Sequence, residues 1–243
     1  MTEQVAEIDK PPVPNSSSWV VRSSLPALII SAAAAIWCRA TVGPTLGLFL
    51  GSLLLTTLIT PPLILAADAR RSWIAAAAIV VGMGAVWAIA ILPADISTLE
   101  WLACCLVLAS YILALAGIAN LFVAARLSRS LAAGLTILLG LLWLTWPVWL
   151  SPWLTQPMSD WLVPANPIFA TNAVLKHLGT WDRAPLAYRA LTVLNQDIPY
   201  RLPGSIAGAC VAHAMTGIIT IVFGRWLGTA RTPRGPETSF RPA

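Results

Sequence analysis

The run WLACCLVLASYILALAGIANLFV, residues 101–123, continues for 23 positions without one charged side chain. Crossing the hydrocarbon of a bilayer takes about 20 predominantly apolar residues in a helix, because a helix satisfies its own backbone polar groups where no water can. The run therefore reads as a membrane span. Five further segments pass the same test, at residues 24–38, 44–65, 73–92, 131–150 and 205–227. Pro26 stands where a first helical turn tolerates it, whereas Pro61 and Pro62 predict a break or kink near the end of the second span.

Composition agrees with that reading. With 58% hydrophobic and only 10% charged residues, the chain is not an ordinary soluble globule. The expected fold is all-α: a polytopic membrane bundle of six transmembrane helices with an outer helical loop between the fifth and sixth. Its parts are a cytoplasmic tail (1–23), five spans (24–150), an extracytoplasmic loop (151–203), the sixth span (204–227) and a second cytoplasmic tail (228–243). The first tail is rich in proline and serine and acidic at its start, which predicts disorder rather than a cleavable signal peptide.

Orientation follows from the basic residues. Ten lie in the tails and turns of one side (Lys10, Arg22, Arg70, Arg71, Arg126, Arg129, Arg225, Arg231, Arg234 and Arg241) and only Arg39 lies in the short loops of the other. The excess marks the cytoplasmic side and predicts a multi-pass protein of the cell (inner) membrane with both termini inside. Trp19, Trp37, Trp73, Trp101, Trp149, Trp153 and Trp226 fall near the expected interfaces. The arginines punctuate apolar runs instead of clustering, so nucleic acid is not an expected partner.

Gly43, Gly47 and Gly51 repeat every four residues on one face of the second span, a pattern that lets a neighbouring backbone approach closely. The last span carries Gly204, Gly208 and Ala212, beside a face with Ser205, Ala209, His213, Thr216 and Thr220.

His213, near the middle of that span, is an intramembrane ionisable residue and so a functional candidate; the competing reading is a neutral imidazole hydrogen-bonded to a neighbouring helix. Asn120 has the same two readings, with interhelical hydrogen bonding the simpler. Haem would want a second axial ligand opposite His213, and His177 is expected outside. The four cysteines, Cys38, Cys104, Cys105 and Cys210, lack metal-ligand spacing. No cofactor and no metal are expected.

The loop 151–203 concentrates the polar chemistry. Asn166 followed by Pro167 supplies an N-cap and a first-turn proline, and Gly179 a stop, which predicts a helix over 167–178. A second helix is expected from about 182 to 194, and both are expected to be amphipathic and to lie on, or dip into, the outer membrane surface. Asp182 and Asp197, with Arg189 nearby, read either as acid and base or as ion-paired surface residues. No nucleophile elbow, zinc-binding HExxH, Walker lysine loop or GxGxxG occurs, so the chain carries no recognised catalytic signature.

Six spans, both ends inside, and a helical excursion opened by Asn166-Pro167 between the fifth and sixth spans: this layout resembles the membrane subunits of ABC-2-type exporters. The resemblance implies a permease-like or accessory subunit of an export system, driven by a separate ATPase. The chain departs from the family in lacking an amphipathic connector helix before the first span and in having a very short turn at 67–72. Two other classes fit the sequence: a noncatalytic membrane scaffold or assembly factor whose outer loop binds an envelope protein, and an enzyme acting on lipid. The expected partners are the lipid bilayer, an ATPase or envelope-protein subunit, and a second copy of the chain in a homo-oligomer.

Overall fold

The computed structural model describes residues 46–66, 69–91, 96–178 and 201–230. All regular structure among them is helical. Five long helices, α1 (Leu46–Ala66), α2 (Ala69–Ile91), α3 (Thr98–Ala124), α4 (Arg129–Trp149) and α7 (Ala207–Ala230), are joined by two short ones, α5 (Gln156–Ala165) and α6 (Pro167–Val174). Three of them, α3, α4 and the Ala207–Leu227 part of α7, are long and apolar enough to cross a membrane. The first expected span, 24–38, lies outside the described residues.

Local chemistry sets the ends of the central helix. Ser97 and Glu100 form a reciprocal capping box at the start of α3, the serine accepting from the Glu100 amide and the Glu100 carboxylate accepting from the Ser97 amide at 2.8 Å. At the other end the amide of Arg126 donates to Val123 O and that of Leu127 to Phe122 O, closing a Schellman turn. Arg126 occupies the left-handed position of that turn, at φ 73°, where glycine is the usual residue. Ser128 then caps α4 by accepting from the Leu131 amide.

Prolines 61 and 62 do not break α1: the helix runs through both to Ala66. Each lacks the N–H that would bond the carbonyl four residues back, so Thr57 O and Leu58 O lose their helical donors while the helix continues past them.

The tightest association is between α3 and α7, which run parallel. A Cβ placed on Gly117 would meet Gly217 O at 2.7 Å, and one on Gly217 would meet Leu113 O at 2.8 Å, so the two backbones touch where neither residue has a side chain. The face of α7 turned inward carries Ala209, His213, Gly217 and Gly224, while Val211, Met215, Ile219, Val222 and Trp226 face outward. The main core lies between α1, α2, α3 and α4, around Leu53, Ile64, Trp87, Leu108, Tyr111, Leu115 and Leu144.

Candidate functional site

The helix expected to open at Asn166-Pro167 is present, and of the two placements open to it, on the surface or dipping inward, it takes the inward one. Residues Pro167 to Asn172 are all buried, which an amphipathic helix on the bundle's exterior could not achieve. A helix not anticipated from the sequence, α5, precedes it, and Asn166 forms the turn between them.

Four contacts fix how this pair sits. The Asn166 side chain, wholly buried, donates from Nδ2 to Trp143 O at 2.9 Å. Trp143 lies six residues before the end of α4, about 9 Å into the bundle at 1.5 Å per residue. Ala170 shares a buried cluster with Val107 of α3 and Ala209 of α7. The chain then climbs back, for His177 Nδ1 lies 3.3 Å from Glu100 Oε1 at the start of α3. Helices α5 and α6 thus form a re-entrant hairpin that enters one end of the bundle and returns to it. Against Gly208, the first turn of α7 approaches Pro164 O so closely that a Cβ would stand 2.9 Å from it.

The anchoring bond has a cause in α4. Pro147 has no N–H, so the carbonyl four residues earlier, that of Trp143, loses its helical donor. A buried carbonyl needs a partner, and the Asn166 amide supplies it. The same side chain caps α6, its Oδ1 accepting from the Ile168 amide at 2.9 Å.

From Trp143 a polar chain continues into the bundle. Its indole Nε1 donates to His213 Nε2 at 3.0 Å. An acceptor at Nε2 places the imidazole proton on Nδ1, which donates to Ala209 O at 2.6 Å, so His213 is a neutral imidazole with both nitrogens engaged. The Tyr111 ring stands edge-on to His213 at 5.3 Å. Thr57 donates to Leu53 O, leaving its oxygen to accept from Tyr111 Oη at 2.8 Å. Asn166, Trp143, His213, Tyr111 and Thr57 therefore link the hairpin to α4, α7, α3 and α1 through side chains that are all uncharged.

Other expected site residues fall elsewhere. Asn120 donates to Ala116 O of its own helix at 2.8 Å and in this arrangement bridges no helices. Gly47 and Gly51 lie in α1, Gly51 half-buried. Gly43, Asp182, Arg189 and Asp197 lie outside the described residues, as does the helix expected over 182–194. Among the described residues no group of three His, Cys, Asp or Glu side chains is placed to hold a metal. Sequence reasoning did not single out Trp143, Tyr111 or Thr57. The one available signal was Pro147, whose position four residues after Trp143 exposes a carbonyl inside an apolar run.

Among the described residues, several buried polar atoms have no hydrogen-bond partner: the hydroxyls of Thr56, Thr60 and Ser159, the Trp146 indole N–H, and both side-chain atoms of Asn172. Comparison with protein-family models, with curated proteins and with solved structures gives no match. The described residues form an all-helical bundle with three helices compatible with membrane residence, into which a polar-tipped hairpin inserts.

Proposed function

We propose that this chain is a six-span protein of the inner membrane, both termini cytoplasmic, serving as the permease-like membrane subunit of an export system powered by a separate ATPase. The observation that carries this reading is the re-entrant hairpin α5–α6. It opens its second helix at Asn166-Pro167, and it enters the bundle at the end that the basic-residue distribution assigns to the outside. Irregular backbone inside a membrane bundle is tolerated only where protein or a polar interior satisfies it, and such breaks are a recurring feature of transport proteins. In this reading the hairpin is the outer closure of the export route, and the network from Asn166 to Thr57 holds it shut.

The test is purification of the tagged chain from its native membranes in mild detergent, followed by identification of stoichiometric partners and measurement of ATP hydrolysis. The expected result is a partner with a phosphate-binding loop whose ATPase activity requires this chain. Co-purification instead of an envelope protein without such a loop, lost on deleting residues 166–203, would replace this reading with a scaffold. Lipid turnover abolished by Asp182→Asn or Asp197→Asn would replace it with an enzyme.

A further inference from the structure

Tryptophan rings in this chain occupy two settings. Trp87 and Trp146 lie buried in the core, whereas Trp149, Trp153 and Trp161 are 45%, 68% and 82% exposed. These three belong to one end of the bundle: Trp149 closes α4, Trp153 sits in the single turn that follows (Ser151–Trp153), and Trp161 stands in the middle of α5.

Height decides what meets the most exposed of them. The bond from Asn166 Nδ2 to Trp143 O sets the end of α5 level with Trp143, and Trp149 stands six residues, about 9 Å, further out along α4. Trp161 precedes Asn166 by five residues, a rise of about 7.5 Å at most, whatever the tilt of α5. Its backbone therefore stands no further out than the last residue of α4, a helix long and apolar enough to cross a membrane. Gly208 against Pro164 seats α5 beside the first turn of α7, whose outward side exposes Val211, Met215 and Ile219. Trp161 is thus uncovered by protein at a height where the neighbouring helix turns apolar side chains outward.

The companions of Trp161 narrow the depth. The other exposed side chains of α5 are Gln156, Pro157 and Asp160, with Gln156 Nε2 donating to Asp160 Oδ1 at 2.8 Å. A carboxylate is costly in hydrocarbon, and an indole ring gains nothing from bulk water; the headgroup layer accommodates both, and amphipathic rings collect there. A protein partner fits this face less well. A stable interface covers about 800 Å² per side around an apolar centre, and a ten-residue helix with one large ring among polar side chains does not offer that.

We infer that the exposed face of α5, with Trp161 at its middle and Trp153 just before it, docks into the lipid headgroup layer of the bilayer, so that Asn166 holds the hairpin on its protein side and lipid holds it on the other. This deepens the proposed function and rests on it: the partner of the outer closure is the membrane itself.

The docking is tested with Trp161→Cys and Trp153→Cys in the full chain, its four native cysteines replaced, labelled with a methanethiosulfonate nitroxide and reconstituted in phosphatidylcholine vesicles. Power-saturation EPR then compares collisions with oxygen, which concentrates in hydrocarbon, and with a nickel chelate confined to water. Leu138→Cys, exposed on α4 eleven residues before Trp149, supplies the hydrocarbon reference, and Lys176→Cys the aqueous one. The oxygen-to-nickel ratio at 161 and 153 should fall between the references, about threefold or more from each. Asp160→Cys, on the same helix and equally uncovered, carries the test if Trp161→Cys fails to elute as a single species. A ratio at 161 equal to that of Lys176→Cys places the face in water and overturns the docking; one equal to that of Leu138→Cys places it in hydrocarbon and does the same. Few collisions with either reagent mean that a second copy of the chain covers the face, which also overturns it. None of these readings involves an ATPase. A watery α5 removes the docking and leaves the export-subunit reading standing, whereas failure to find an ATPase partner removes that reading with the measured depth unchanged.

Discussion

Asn166 performs two tasks with one amide: its oxygen caps α6 and its nitrogen satisfies the Trp143 carbonyl that Pro147 leaves without a helical donor. Substitutions can separate them. Asn166→Ser retains a capping oxygen and loses the bond to Trp143, which should cost about 1–2 kcal/mol. Asn166→Asp also retains the cap, but sets a carboxyl oxygen against a carbonyl oxygen in a site with no solvent, and should cost about 3 kcal/mol or more. Thermal unfolding in detergent should therefore rank wild type above Asn166→Ser above Asn166→Asp; equal losses would show that the contact with Trp143 does not anchor the hairpin. Arg126 gives a change of opposite sign. It holds a left-handed conformation at φ 73° in the α3–α4 turn, so Arg126→Gly should stabilise by about 0.5–1 kcal/mol, checked in the same assay. Of these two residues the sequence made only Asn166 visible, because an N-cap followed by proline is a local signal. Its second bond depends on a carbonyl 23 positions away, and no local pattern reports that.

Among the helices, the close contact expected of the glycine repeat at 43, 47 and 51 falls partly outside the described residues, and the closest backbone approach that the described residues show is between Gly117 and Gly217. Neither belongs to a four-residue glycine repeat that would advertise it; in α7, Gly208 meets the hairpin instead and Gly224 meets α3 more loosely. Their importance comes from the partner each meets, and the partner is set by how α3 and α7 cross. Gly217→Ala should therefore destabilise clearly, since its Cβ would stand 2.8 Å from a backbone oxygen that cannot give way. Gly134→Ala in α4, with nothing within 4 Å, should be neutral or stabilising by up to about 1 kcal/mol through helix propensity. Melting temperatures of the two variants decide the matter, and equal values would mean that the α3–α7 crossing is looser than described. Helix existence was legible in every long apolar run that the structure describes. The hairpin was only half legible: α6 has its cap and proline, while α5, with Pro157 and Pro164 within ten residues, carries no sustained apolar period and reads as loop.

For the whole molecule, the proposed topology makes a direct prediction. Reporter fusions after Arg71, Arg129 and Arg231 should report the cytoplasm, and fusions after Pro93 and Gly179 the outside, because ten basic residues lie on one side and only Arg39 in the short loops of the other, the four in the long loop 151–203 counting for less. A cytoplasmic signal at Gly179 would overturn the orientation and with it the outer position of the hairpin. The contact between Glu100 and His177 already requires the start of α3 and the end of the hairpin to share one end of the bundle, whichever side of a membrane that is. By itself, the sequence determined that the chain is helical, where its long helices begin and end to within a few residues, and that a capped helix starts at Pro167. Each of these follows from interactions spanning a few neighbours: backbone bonds to the fourth residue, caps, prolines and the apolar length of a run. Only the tertiary structure decided that α6 is buried rather than laid on a surface, and that Trp143 and His213 share a hydrogen bond. Those depend on which faces of distant helices meet, and in a chain apolar on nearly every face, hydrophobic periodicity carries no record of that choice.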